Sequence, residues 1–152
     1  MRLLPYMIAV LFLSPTLAGF SIATFQADVT PPLGSPLCGG GVPPVQSVTD
    51  PLSARGIVFF PKGEKPLVLC AVDWVGIGND GRRAWREALA IAANTDANRV
   101  TVHALHQHDA PFCDFNVEGL LEAQGIGGAT FDVVFAREAI ANTATALAES
   151  IE

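Results

Sequence analysis

The chain has 152 residues, half of them hydrophobic, and its 9 basic and 15 acidic residues give a formal net charge of −6. This balance argues against a nucleic-acid partner, which requires a basic surface, and against docking on anionic lipid by charge alone. It leaves open a substrate that is itself a lipid, with transient contact to a membrane surface.

Residues 1–18 have the pattern of a secretory signal peptide. Arg2 supplies a short positive segment, residues 6–13 form an apolar run too short to span a membrane, and small residues within 16–18 fit cleavage after Ala18. We therefore expect an exported protein, secreted or periplasmic, with a mature part of 134 residues and a net charge of −7. An uncleaved amphipathic anchor is the alternative. No later run reaches spanning length, so we predict no transmembrane segment in the mature chain.

The first half of the mature chain is predicted to be mainly strand. Residues 21–29 alternate as a strand does, and two apolar runs at 54–60 and 66–74 are joined by a turn-like segment, which predicts a β-hairpin. The continuous apolarity of 66–74 favours a central strand covered on both faces. Residues 33–50 form a loop rich in glycine and proline, and a loop of this length is usually functional or disordered.

The second half alternates helix and strand. Residues 82–94 have one apolar helical face, with Asp80 as a plausible N-cap, and residues 100–106 form another apolar strand. Strand, helix and strand in this order predict a right-handed βαβ unit whose two strands pair in parallel. Residues 111–130 are predicted as a loop, and residues 131–152 as a helix.

The predicted fold class is α/β: a βαβ unit with parallel central strands plus an N-terminal β-hairpin. The sequence stops at Glu152 inside an alanine-rich helical pattern, without a glycine, proline or polar cap behind it. Because helices normally end with such signals, we expect residues 19–152 to be an incomplete domain, from a truncated reading frame or a fragment.

Three cysteines remain in the mature chain, namely Cys38, Cys70 and Cys113. Export makes a disulfide possible, and Cys38 could pair with Cys113 if their loops meet. Cys70 lies within an apolar strand and is expected to be a small buried residue. The sequence alone does not decide the pairing.

The segment His106-Gln107-His108 carries the strongest chemical signal of the chain. Two histidines at positions i and i+2 of an extended segment point to one face, so their imidazoles can converge on one metal ion, or one can bind metal while the other handles a proton. His103 is three residues before His106, so on a strand its side chain points to the opposite face; we expect it to be a core or surface histidine. Asp73 follows the neighbouring parallel strand and is a candidate to orient an imidazole; its alternative role is a loop or cap aspartate.

The order and spacing of four short segments resemble the neutral/alkaline, non-lysosomal ceramidase family over residues 25–115. The likeness begins at Ala27-Asp28-Val29-Thr30-Pro31, which looks like the family's opening A-D-[IV]-T-x, and continues at Asp50-Pro51-Leu52-Ser53-Ala54-Arg55, which matches an L-x-A-R stretch entering a strand. Val72-Asp73 resembles the family's strand that ends in aspartate. The likeness culminates in Ala104-Leu105-His106-Gln107-His108-Asp109-Ala110-Pro111, beside the family's A-T-H-T-H-S-G-P.

The resemblance implies that residues 19–152 are the N-terminal portion of a ceramidase-like α/β catalytic domain. It implies a Zn²⁺ cofactor with His106 as a ligand, His108 beside the metal stabilising the transition state, and hydrolysis of the amide between a fatty acid and a sphingoid base. It also implies that the remaining ligands, a second histidine, a glutamate and a tyrosine, lie beyond Glu152. Because catalytic zinc usually has three protein ligands, we expect the fragment alone to be inactive.

The chain departs from the family motif around the two histidines. Asp109 and Ala110 stand where the family has serine and glycine, and Leu105 and Gln107 replace two threonines. Asp109 adds a carboxylate beside the expected zinc, which would change the pKa of a bound water. These departures bear on ceramide as substrate more than on metal binding. They favour the alternative function, a non-catalytic exported α/β binding module with a vestigial metal site; an amidohydrolase-like enzyme is a third interpretation.

Overall fold

A computed structural model describes residues 19–152, so the proposed signal peptide at residues 1–18 lies outside the described residues. The described part contains strands β1 (Ser21–Asp28), β2 (Ser53–Phe60), β3 (Leu67–Val72), β4 (Gly76–Ile77), β5 (Val100–Ala104) and β6 (Phe112–Cys113), and helices α1 (Asn79–Ala92), α2 (Phe115–Glu122) and α3 (Val133–Ile151). Within this part of the chain, none of the helices has both the length and the apolarity that crossing a bilayer requires.

The main sheet has four strands in the order β1-β2-β3-β5. Strands β1, β2 and β3 are antiparallel neighbours, while β3 and β5 are parallel and are connected through α1. Strands β4 and β6 form a separate short parallel pair. The structure therefore confirms the predicted fold class: an α/β arrangement with a β-hairpin, a βαβ unit and parallel central strands.

The hydrophobic core lies between one face of this sheet and the helices α1 and α3. Val68, Cys70 and Val72 of β3 are fully buried on that face, because alternate residues of a strand point to the same side. Helix α1 contributes Trp85 and Leu89, which are also fully buried. The core thus anchors β3 and β5, whose carboxyl ends carry the candidate site.

The opposite face of the sheet is open within residues 19–152. Leu67 and Leu69 of β3 are 39% and 47% exposed, and Ile57 of the neighbouring strand is 38% exposed. The expectation that β3 is covered on both faces is therefore wrong for the described part of the chain, because α1 and α3 both pack on the other face.

Helix α1 begins three residues earlier than the sequence predicted. Its N-cap position is Gly78, not Asp80, and no side chain caps it. Contacts with the α2 region hold its first turn instead: the Asn79 side chain donates to Asp114 at 2.6 Å, and the Asp80 N–H donates to Asn116 at 2.9 Å. The helix start therefore depends on tertiary contacts that local sequence signals do not reveal.

The predicted loop 111–130 contains both β6 and α2, so that prediction was wrong. Asp114 is the N-cap of α2, and its Oδ1 accepts hydrogen bonds from the N–H groups of Asn116 and Val117. An aspartate in this position is a recognised start signal. The helix escaped prediction because it has only eight residues, one of them Gly119, and lies between glycine- and proline-containing segments.

All three cysteines in the described part of the chain are free thiols. Cys70 is fully buried, as predicted, and so is Cys113; the pairing of Cys38 with Cys113 that the sequence allowed is not formed. Desolvation by burial raises the pKa of the Cys70 and Cys113 thiols to about 12, with a smaller upward effect of Asp114 on Cys113. Both thiols are therefore neutral at physiological pH.

Candidate metal centre

The candidate site lies where the parallel strands β3 and β5 end side by side, at the last paired residues Val72 and Ala104. Beyond this pair, residues 105–107 run along residues 72–75 and donate to four successive carbonyl groups. The four bonds are Leu105 N–H to Val72 O (3.0 Å), Gln107 Nε2 to Asp73 O (2.9 Å), His106 N–H to Trp74 O (3.0 Å) and His106 Nδ1 to Val75 O (2.7 Å). The backbone of residues 72–75 therefore positions His106.

The two histidines converge through a turn and not through strand alternation. Strand β5 ends at Ala104, so the predicted strand boundary at His106 was wrong. His106 has a φ of 64°, in the left-handed region that a non-glycine residue occupies only under some strain. The turn brings the ring of His108 against that of His106, with ring centroids 5.1 Å apart and ring planes at 87°.

The hydrogen bond to Val75 determines the protonation pattern of the neutral His106 ring. A backbone carbonyl can only accept, so Nδ1 of His106 carries the proton and donates it to the Val75 oxygen. The lone pair is then on Nε2, the atom that faces His108. Metal-binding histidines are held in the same way, with the second ring nitrogen bonded to a carbonyl or carboxylate.

The separation between the two rings places both imidazoles at one site. Nε2 of His106 and Nε2 of His108 are 3.4 Å apart. They are within hydrogen-bond distance, and because Nδ1 of His106 carries its proton, Nε2–H of His108 is the donor and Nε2 of His106 the acceptor. Both rings are also exposed, which leaves room for a further ligand.

The described residues supply the expected ligand His106, with His108 beside it, and not a complete metal site. Within residues 19–152, no group of three or more His, Cys, Asp or Glu side chains is arranged to hold a metal ion. The nitrogen of a neutral imidazole is a ligand that suits zinc. A catalytic centre requires further protein ligands beside it.

The carboxylate of Asp73 bonds to β2, in keeping with the alternative role of a loop aspartate. Its Oδ2 accepts hydrogen bonds from the N–H and the hydroxyl of Ser53, at 2.7 and 2.8 Å. Its own N–H donates to the Ser53 carbonyl. The group that orients the His106 ring is the Val75 carbonyl, and Asp73 contributes by fixing the 72–75 segment to β2.

A cleft of about 600 Å³ opens beside His108. Gln107, His108 and Asp109 line one side of it, and the loop from Val42 to Asp50 lines the other. Asp109 is exposed and lines the same side of the cleft as His108. The cleft wall is about equally polar and apolar, so it offers contacts for both an apolar chain and a polar group.

His103 lies apart from this cleft, as its strand parity predicted. It is an exposed residue of β5 on the open face of the sheet, next to Ala71 and Arg55 in a second cleft. Its imidazole has no histidine partner among the described residues, so His103 can serve as the reference against which the responses of His106 and His108 are compared.

Sequence reasoning missed the residues that hold the pair, namely Val75, Gln107 and Ser53. Val75 acts through its backbone carbonyl, which no side-chain pattern reveals. Gln107 was visible between the histidines, but its role depends on the pairing of β3 with β5. Ser53 lay inside a recognised motif, and its contact with Asp73 requires the hairpin register.

The described part of the chain has a ceramidase-like α/β fold. It is similar to the neutral ceramidase from Pseudomonas aeruginosa, with a TM-score of 0.58 and 18% sequence identity over 87% of this chain and 21% of that chain. It is also similar to a ceramidase complexed with C2, with a TM-score of 0.54 and 14% identity over 86% of this chain and 20% of that chain. The chain thus spans about a fifth of the length of either protein.

At these identities the likeness is one of fold. No model of a known protein family matches the chain, and no curated protein matches it.

Proposed function

We propose that this chain is the N-terminal portion of an exported zinc-dependent hydrolase that cleaves a linear amide of the N-acylsphingosine type. The observation that supports this most strongly is the His106–His108 pair, with 3.4 Å between its Nε2 atoms and one ring fixed by the Val75 carbonyl. The ceramidase-like fold supports the same reaction class. The cleft beside His108 supports a substrate with both apolar and polar parts.

His106 and His108 have separate roles in this proposal. His106 is the ligand, because the hydrogen bond from its Nδ1–H to Val75 leaves the ring's lone pair on Nε2. In the metal-free protein this lone pair accepts a hydrogen bond from the exposed His108 ring, and a bound metal ion would take its place. Zinc, when bound there, would lower the pKa of a water molecule and polarise the scissile carbonyl. His108, which is exposed to the cleft, donates a hydrogen bond to the oxygen that becomes negatively charged during amide cleavage.

Asp109 follows His108 directly and lines the same cleft. A carboxylate there disfavours a second negative charge nearby and favours a proton or a cation. We therefore expect Asp109 to shift the pH dependence of the reaction relative to a variant with serine at this position.

Export is proposed from residues 1–18, and its test is direct. The N-terminal sequence of the protein recovered from outside the cytoplasm should begin at Gly19. Recovery of the protein only from the cytoplasm, with Met1 retained, would contradict export.

Metal analysis and amide hydrolysis of the complete translated protein test the enzyme. His106→Ala should lose zinc, while His108→Ala should keep zinc and lose turnover of an N-acylsphingosine in mixed micelles by about 10²- to 10³-fold. His103→Ala is the matched control, because it removes an exposed imidazole outside the cleft. Unchanged zinc content in His106→Ala would exclude the ligand assignment, and unchanged turnover in His108→Ala would exclude its role.

The non-catalytic binding module remains the second candidate, favoured by Asp109 and Ala110, which stand where the family motif has serine and glycine. Stoichiometric zinc without hydrolysis of N-acylsphingosine or simpler N-acyl amides by the complete protein would support the module and contradict the enzyme.

A further inference from the structure

Gln107 lies between the two histidines and makes a contact that the proposed reaction does not use. Its side-chain amide Nε2 donates a hydrogen bond to the backbone carbonyl of Asp73, at 2.9 Å. This bond crosses from the segment after β5 to the segment after β3, beyond the point where the sheet pairing has ended.

The two histidines are held very differently. The backbone and ring of His106 are bonded to the carbonyls of Trp74 and Val75. The ring of His108, by contrast, has one hydrogen-bond partner among the described residues, the exposed Nε2 of His106. The side chain of Gln107 is therefore the last hydrogen-bonded anchor before His108.

The hydrogen bond from Gln107 to Asp73 helps to maintain the left-handed conformation at His106. His106 has a φ of 64°, which is strained for a residue with a side chain, so surrounding contacts must maintain it. A change of backbone angle at His106 or Gln107 would swing His108 away and lengthen the 3.4 Å separation. A bond from Gln107 to the rigid 72–75 segment opposes that movement.

We propose that Gln107 is a positioning residue that sets the separation of the two imidazoles and so holds His108 beside the metal position at His106. It does so by fixing the 105–108 segment to the Asp73 carbonyl. The inference rests on the proposed function only for the metal; the geometric part concerns the metal-free protein. Partners that orient metal ligands typically affect metal affinity by 10- to 100-fold.

The chemistry of the contact requires a neutral donor of this length. Glutamate has nearly the same shape but cannot donate when ionised, and its charge would face a carbonyl oxygen. Methionine fills a similar volume without any donor. Gln107→Glu and Gln107→Met should therefore both release the anchor, although they differ in charge.

The matched control is Gln46→Glu. Gln46 lines the opposite side of the same cleft and is exposed, so this change adds an equal charge near the histidines without touching the Asp73 contact. It separates the effect of charge from the loss of the hydrogen bond.

Two measurements test the proposal. In the metal-free protein, ¹⁵N and ¹³C relaxation of the imidazole groups should show a more mobile His108 ring in both Gln107 variants, while His106 keeps its proton on Nδ1. Titration with Co²⁺ should then show about tenfold weaker binding in both variants and an altered visible spectrum. Gln46→Glu should keep the wild-type ring dynamics and spectrum, and far-UV circular dichroism should show that every variant is folded.

The outcomes distinguish this inference from the proposed function. Wild-type ring dynamics, affinity and spectrum in both Gln107 variants would overturn the positioning role and leave the metal pair intact. A wild-type protein that binds no Co²⁺, with a His108 ring that becomes mobile in Gln107→Met, would support the positioning role and contradict the metal site.

Discussion

Replacing Asp73 by alanine should destabilise the protein, because it removes the carboxylate whose Oδ2 accepts two hydrogen bonds from Ser53. Oδ2 of Asp73 accepts two short hydrogen bonds, from the N–H and the hydroxyl of Ser53, and Ser53 is only 5% exposed. Hydrogen bonds to a charged group contribute about 1.5–3 kcal/mol each, and a buried donor left without a partner adds a desolvation cost. Because Asp73 is only half-buried and water can replace part of the loss, we expect about 2–4 kcal/mol less unfolding free energy.

The control for this change is Ser53→Ala, which removes the hydroxyl and leaves the backbone N–H bonded to Asp73. It should cost about 1 kcal/mol. Urea unfolding followed by circular dichroism measures both, and the double variant measures the coupling between the two residues. If Asp73→Ala is no more destabilising than Ser53→Ala, the carboxylate does not anchor the 72–75 segment and our account of the site's support is refuted.

Two further predictions concern the sheet and the thiols. Gly56→Ala should lower the free energy of unfolding, measured in urea, by about 1–3 kcal/mol or more, because the added methyl group would lie 2.1 Å from the buried ring of Phe25. The control Gly119→Ala, which adds a methyl group in open space on α2, should raise that free energy by up to about 1 kcal/mol. Equal effects of the two changes would refute the packing argument. At pH 8, a thiol reagent should modify Cys38 in the folded protein and reach Cys70 and Cys113 only after unfolding, since burial raises the pKa of these two to about 12. The contribution of these buried neutral thiols to the unfolding free energy is fully present below the ordinary thiol pKa near 9 and is lost as the pH rises toward 12. Equal labelling of all three cysteines in the native state would contradict the burial of Cys70 and Cys113.

The sequence predicted the fold where hydrophobic pattern and turn chemistry agreed. The β-hairpin, the helix after it and the parallel strand that follows were all recognisable, because each is long and regular. The short helix α2 was not, because its start depends on Asp114 and its eight residues lie in a glycine-rich context. The open face of β3 was also missed, since an apolar run shows that a face is apolar and not which element covers it.

The histidine pair could be predicted from the sequence, but its geometry could not. The spacing of His106 and His108 indicated convergence, and their position at the end of a parallel strand was predicted from the βαβ pattern. The left-handed turn at His106 was hidden, because its conformation is maintained by the carbonyls of another segment. For the same reason the roles of Val75 and Gln107 followed only from the paired strands.

A zinc titration followed by the ¹⁵N chemical shifts of the imidazoles tests the central claim most directly. Our account predicts that one Zn²⁺ per chain binds Nε2 of His106 and, by displacing the hydrogen bond from His108, shifts the His108 ring at the same concentrations. These concentrations should be well below those that perturb the isolated exposed imidazole of His103. If His106 and His108 respond no earlier than His103, or respond independently of each other, the pair is not a metal centre and the proposed hydrolase loses its main support.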